Sequence, residues 1–148
     1  MEWLWKHKLV LLLGGAAVLY FIYNPAGRIG IAHKGLIVYN KIPVAIFDCY
    51  IDPDGTLHLE SDLSQPVNLN YWFEQHFLTY KNVGLDQIVL LIGTGFNDGT
   101  RLKPDFKLLN RCKERGFAPN VMPSQEAIEA FNTLREQQKK CALLLRIK

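Results

Sequence analysis

Residues 88–95 read IVLLIGTG, five branched apolar side chains that stop in two glycines separated by Thr94. An unbroken apolar run of this kind, without polar alternation, is the pattern of a strand covered on both faces. Such strands build parallel α/β sheets, in which ligands gather at the carboxyl ends of the strands. The glycine pair therefore reads in two ways: as a phosphate cradle, or as the sharp exit of a buried strand. A dinucleotide fingerprint needs G-x-G-x-x-G opening straight into a helix. Here Gly93, Gly95 and Gly99 are spaced one residue too long, and residues 100–104 (TRLKP) still intervene before a helix can begin. No GK[ST] follows, so a Walker loop is absent as well. The bend explains the same letters, since glycine adopts dihedrals that residues with a β-carbon avoid, and Thr94 can bond locally. Were a small cleft present, Asn97, Asp98 and Arg101 would form its polar rim; a solvated loop is the simpler account.

Working outward from this strand, which begins at Gln87, the C-terminal half alternates regularly. Pro104 near a first turn, with Phe106, Leu109 and Cys112 inward, predicts a helix ending before Gly116. FAPNVM (117–122) reads as a short strand. Ser124 is placed to cap a second helix, with Ala127, Ile128, Phe131 and Leu134 along one face. CALLLRI (141–147) reads as a third buried strand. This βαβαβ order predicts three parallel strands. Asn132, next to the inward Phe131, is placed either to bond the Gly93–Gly95 backbone or to face a partner; the structural role is the simpler.

Upstream the rhythm is antiparallel. Gly35–Asn40 and Val44–Ile51 read as strands, Asp52-Pro53-Asp54-Gly55 has hairpin turn chemistry, and Thr56–Glu60 returns. Leu69, Trp72, Phe73, His76, Phe77 and Tyr80 then recur at helical spacing. The expected fold is α/β: a three-layer domain with a β-rich antiparallel lobe, then a βαβαβ parallel unit, all preceded by one transmembrane helix.

That helix is expected within residues 1–24, before a linker at 25–34 and the domain at 35–148. Leu9–Tyr23 holds 15 residues without a charge, and Trp3, Leu4 and Trp5 extend it past the interruption at Lys6, His7 and Lys8. A helix rises about 1.5 Å per residue against about 30 Å of hydrocarbon, so snorkelling lysines and interfacial tryptophans have to supply the remainder. Two alternatives stand beside an anchor contacting lipid through residues 3–23. A cleaved signal would need a small-x-small site, which YNPAGRIG (23–30) lacks; a core helix would need a polar face, which the run lacks. Basic residues flank the segment on both sides, so charge does not choose the side of the membrane.

Composition excludes other classes. Of 148 residues 49% are hydrophobic and 21% charged, which suits a packed domain. A net charge of +3, with the basic residues scattered, makes nucleic acid a poor partner. Three cysteines, Cys49, Cys112 and Cys141, lie far apart and read as buried free thiols. No GxSxG, HExxH or EF-hand loop occurs, and the four histidines lack metal-ligand spacing, so neither metal nor cofactor is expected.

Taken in order, IVLLIGTG, Pro104 and RGFAPNVMPSQEAIEAFNTLREQQKKCALLL (115–145) resemble a known pattern. It is that of the small α/β domain of mitochondrial complex I (NADH dehydrogenase) assembly factor 3 and its bacterial and archaeal relatives. The corresponding positions are Gly93, Thr94 and Gly95; Gly116, Phe117 and Met122; Ala127, Phe131, Asn132 and Leu134; Lys139 and Lys140. The resemblance runs from about Leu36 to Ile147. It implies a binding module that works through other proteins at the inner membrane, bacterial or mitochondrial, and not an enzyme. The rival expectation is a small-molecule or nucleotide-binding enzyme using the Gly93-Thr94-Gly95 loop.

Overall fold

The structure is a computed structural model describing residues 2–24, 26–60, 63, 75, 88–96 and 102–147. It is a mixed α/β domain with two sheets and, among the described residues, three helices. The elements are α1 (Glu2–Tyr23), β1 (Ile29–His33), β2 (Leu36–Tyr39), β3 (Ile42–Ala45), β4 (Asp48–Ile51) and β5 (Leu57–Glu60). Then come β6 (Ile88–Gly93), α2 (Phe106–Glu114), β7 (Phe117–Met122), α3 (Ser124–Glu136) and β8 (Cys141–Leu145).

Strands β1–β2–β3 form a small antiparallel sheet, and the larger sheet runs β5-β4-β8-β6-β7. Within it β6 pairs in parallel with both β7 and β8, as the βαβαβ reading requires. The β4–β5 hairpin joins antiparallel through β4 and β8. Alternate residues of β6 and β8 serve opposite faces, as the strand period of two demands. Leu90, Ile92, Ala142 and Leu144 pack with Leu108 and Cys112 of α2. Leu91, Leu143 and Leu145 pack with Ala127, Ile128 and Phe131 of α3 and with Ile29, Ile37 and Val44 of the small sheet. All three cysteines are buried and free.

Several expectations change in detail. The stretch read as one strand, Val44–Ile51, divides between two sheets. Ile46, at φ 62°, turns the chain out of the small sheet before β4 enters the large one. Residues 25–34, expected as a linker, contain β1, whose Ile29 is buried. In α2, Asp105 is the N-cap and accepts from the Leu108 N–H. Leu108 and Cys112, four apart, make the buried stripe, while Phe106 is 76% exposed because it lies off that stripe. The expected helix over Leu69–Tyr80 lies outside the described residues, apart from Gln75, which is helical.

The N-terminal expectation is also revised. Glu2–Tyr23 is helical throughout, but among the described residues no helix is long and apolar enough to cross a membrane. The physical reason is length: the uncharged run of 15 residues spans only about 22 Å, and Lys6 and Lys8 interrupt its extension. The helix is nonetheless locked to the domain. Asn24, buried at its end, donates to the Tyr20 carbonyl and accepts from the Ile31 N–H. Gly30 passes so close that a β-carbon there would lie 2.2 Å from the Tyr23 carbonyl oxygen.

Candidate functional site

The carboxyl end of β6 lies where open α/β sheets hold ligands, so its hydrogen bonds decide what it can do. A phosphate cradle requires amide N–H groups aimed into open space. Here they are occupied. The Thr94 N–H donates to the Met122 carbonyl at 3.0 Å, and its hydroxyl donates to the same oxygen at 3.2 Å. The Gly95 N–H donates to the Ser124 hydroxyl at 2.9 Å. The carbonyls are occupied too: Gly93 accepts from Arg146, Thr94 from Leu102 and Gly95 from Ser124.

The two glycines serve different needs. Gly95 has φ 131°, a backbone conformation natural to glycine. Gly93 has no positive φ; it is small because a β-carbon would lie 2.6 Å from Leu145 Cδ1 and 2.9 Å from Ser124 Oγ. Only Gly95 thus acts as the expected conformational bend, whereas Gly93 makes room for α3.

Ser124 is a tie and not a helix cap, since Pro123 occupies the N-cap position. Its hydroxyl accepts from Gly95 and donates to the Arg146 carbonyl at 2.8 Å, joining the ends of β6 and β8 to the first residue of α3. Beyond Arg146, the Ile147 N–H donates to Asp48 Oδ1 at 3.0 Å, and Asp48 Oδ2 accepts from the Leu63 N–H at 2.9 Å. Asp48 is fully buried, and this carboxylate knits three segments together. Its signal in the sequence is a lone acid inside the apolar run VAIFDCYI (44–51).

Of the residues singled out, Gly93, Thr94 and Gly95 come together, while Asn97, Asp98 and Arg101 lie outside the described residues. Asn132 takes the structural role, but at another place. Its amide donates to the Ile29 carbonyl at 2.8 Å and accepts from the Ile29 N–H at 2.9 Å, fastening α3 to β1 and not to the glycine loop.

A second polar cluster sits at the β4–β5 turn. Arg135 donates to the carbonyls of Asp52 (2.9 Å) and Pro53 (3.2 Å) while lying 5.0 Å over the Phe131 ring. His58 Nε2 meets Asp52 Oδ2 at 2.7 Å, and the His58 ring stacks on Tyr50. The Tyr39 hydroxyl donates to the Gly55 carbonyl, and burial raises its pKa. Asp54 is held below the usual carboxylate range by the Thr56 N–H. These bonds clamp α3 to the hairpin.

The nucleophile inventory points the same way. Burial pushes the Cys112 thiol up to about 12 and raises Cys49 and Cys141 also, so all three are protonated at neutral pH. Among the described residues no group of His, Cys, Asp or Glu could hold a metal ion.

The profile of a family described as "Protein of unknown function (DUF498/DUF598)" matches residues 30–146. No protein of curated function matches the sequence. Solved structures do. An outer membrane protein from Bartonella henselae is similar at TM-score 0.61 and 17% identity, covering 84% of this chain and 98% of that one. A conserved hypothetical protein from Pyrococcus horikoshii reaches 0.58 at 17% identity, covering 82% and 98%. A Mth938-like domain from Bordetella pertussis reaches 0.59 at 16% identity, covering 81% and 85%. At such identities the likeness is one of fold.

Proposed function

The chain belongs to the DUF498/DUF598 family, and from that premise we propose that it is a membrane-tethered α/β interaction domain that aids assembly or maturation of a membrane complex. The carrying observation is α1. Its consecutive residues Val10, Leu11, Leu12 and Leu13 are each more than half exposed, as are Val18 and Leu19 further along. Consecutive helical residues are about 100° apart, so apolar side chains point outward on every side. A groove in a protein covers one face of a helix; a helix apolar all round requires an apolar medium all round. Lipid supplies it. Confinement at the membrane raises the local concentration of the domain around a membrane partner, so a modest binding surface suffices. The resemblance to complex I assembly factor 3 supports the same reading.

The test is flotation of the full-length chain with phospholipid vesicles. It is expected to float and to resist salt extraction, whereas a chain lacking residues 3–23 stays in the aqueous fraction. Recovery of the full-length chain in the aqueous fraction would refute the tether. Affinity purification from detergent-solubilised membranes then identifies the partner. Against the rival nucleotide-binding reading, the amides of Thr94 and Gly95, among the described residues of the loop, are already bonded within the fold. Nucleotides and phosphate compounds are accordingly expected to leave the melting temperature unchanged, and a clear rise would revive that reading.

A further inference from the structure

We propose that the exposed edge of β3, from Lys41 to Phe47, is an additional membrane contact that lies on anionic phospholipid headgroups. The inference rests on α1 being in lipid and adds which face of the domain the membrane touches.

The first ground is continuity with α1. The Tyr20 hydroxyl donates to the Lys41 carbonyl at 2.7 Å, and the Lys41 ammonium sits 4.4 Å from the centre of the Phe21 ring. The β2–β3 turn is therefore fastened to α1 before the helix ends. Asn40 and Lys41 both have positive φ, the geometry of a tight two-residue hairpin. A helix in lipid brings this turn to the membrane surface. A lysine stem laid along apolar surface with its charge at the rim is the snorkelling arrangement.

The next ground is the edge itself. Beyond α1, the large apolar side chains exposed among the described residues are Ile42, Ile46, Phe47, Leu59, Phe106 and Val121. The first three fall within six residues of one another: Ile42 on β3, which is paired on one side only, and Ile46 and Phe47 in the bend that follows it. Ile46 is 67% exposed and sits at φ 62°. A β-branched residue carries about 1–3 kcal/mol of strain there, which glycine would avoid. A strained isoleucine directed at solvent has no account in the core; it has one at a lipid surface. Pro43 lacks an N–H, which makes this edge a poor template for an added strand from a protein partner.

The last ground is charge. No acidic residue lies between residues 3 and 47, and of the five basic ones Lys34 and Lys41 serve this edge, since Lys6 and Lys8 lie near the start of α1 and Arg28 pairs with Glu136. Lys41 and Lys34 flank the apolar edge, Lys34 beside Gly35, whose carbonyl accepts from the Ile46 N–H. Anionic headgroups attract basic groups so placed by about fivefold in partitioning for each lysine.

The test uses the full-length chain in vesicles with an environment-sensitive fluorophore on Ile46→Cys and, as control, on Lys107→Cys of α2. The buried native thiols, protonated at neutral pH, stay unlabelled. With a quencher at headgroup depth, the label at 46 is expected to be quenched in vesicles of phosphatidylcholine with phosphatidylglycerol, less in phosphatidylcholine alone, and the label at 107 in neither. Replacing both Lys34 and Lys41 by Glu is expected to reduce the quenching severalfold. A chain that floats while its label at 46 stays unquenched overturns the edge contact and leaves the tether intact; a chain that does not float removes both. Quenching indifferent to phosphatidylglycerol and to the two lysines overturns the anionic headgroup. Shielding at 46 in detergent that depends on a co-purifying protein makes the edge a protein surface and likewise overturns the proposal.

Discussion

The carboxyl end of β6 and the α1–β3 side of the molecule have reversed polarity. At the former, polar side chains are inside: Asp48, Thr94 and Ser124 are buried and bonded to backbone. At the latter, large apolar side chains are outside: α1 and the stretch from Ile42 to Phe47. Buried polar groups persist only when fully bonded, and exposed apolar patches persist only when something covers them. The end of β6 therefore has the position of a site and behaves as a fastener, whereas the α1–β3 side has the position of plain surface and the physical demands of a binding face.

Substitutions can break this contrast. The largest effect is expected from Gly93→Val, whose β-carbon alone would meet Leu145 and Ser124 at less than van der Waals distance. A loss of about 3 kcal/mol in urea unfolding would mark the glycine as a packing device. Ser124→Ala comes next, leaving the Gly95 N–H and the Arg146 carbonyl buried without a partner, at about 2 kcal/mol. If that variant is as stable as the parent, the fastener account is wrong. Asn132→Ala is expected to cost about 1–2 kcal/mol by releasing β1 from α3, visible as faster amide exchange at Ile29. Ile46→Gly should do the reverse and raise stability by up to about 1 kcal/mol by relieving strain, while weakening contact with anionic vesicles. The smallest effect concerns Asp54. Its folded-state pKa is depressed, so its contribution is present above the ordinary value of 3.8 and is lost as the pH falls through the lower folded value. Asp54→Asn should flatten the acid limb of the stability profile slightly.

Much of the C-terminal half was legible from residue order. Ile88–Gly93 and Cys141–Leu145 carry unbroken apolar runs, and strands buried on both faces demand such runs. Ala127, Ile128 and Phe131 recur at helical spacing and are buried accordingly. What escaped were the joints. Val44–Ile51 reads as continuous because Ile46 has the composition of a strand, and nothing local announces a left-handed backbone there. Ser124 reads as a cap because serine usually caps; its partners, Gly95 and Arg146, lie 29 and 22 residues away. Asn132 was legible as structural, but its partner Ile29 is 103 residues distant.

The chain's letters alone determined the parallel unit, the buried thiols and the apolar N-terminal stretch, because each is written in local periodicity and in the cost of exposing hydrocarbon to water. Tertiary structure decided that the glycine pair is a closed junction, that residues 29–33 form a strand welded to α1, and that the β3 edge stands open. Those depend on which distant groups meet, and a hydrogen bond's partner is chosen by the packing of whole elements, not by neighbours in the chain.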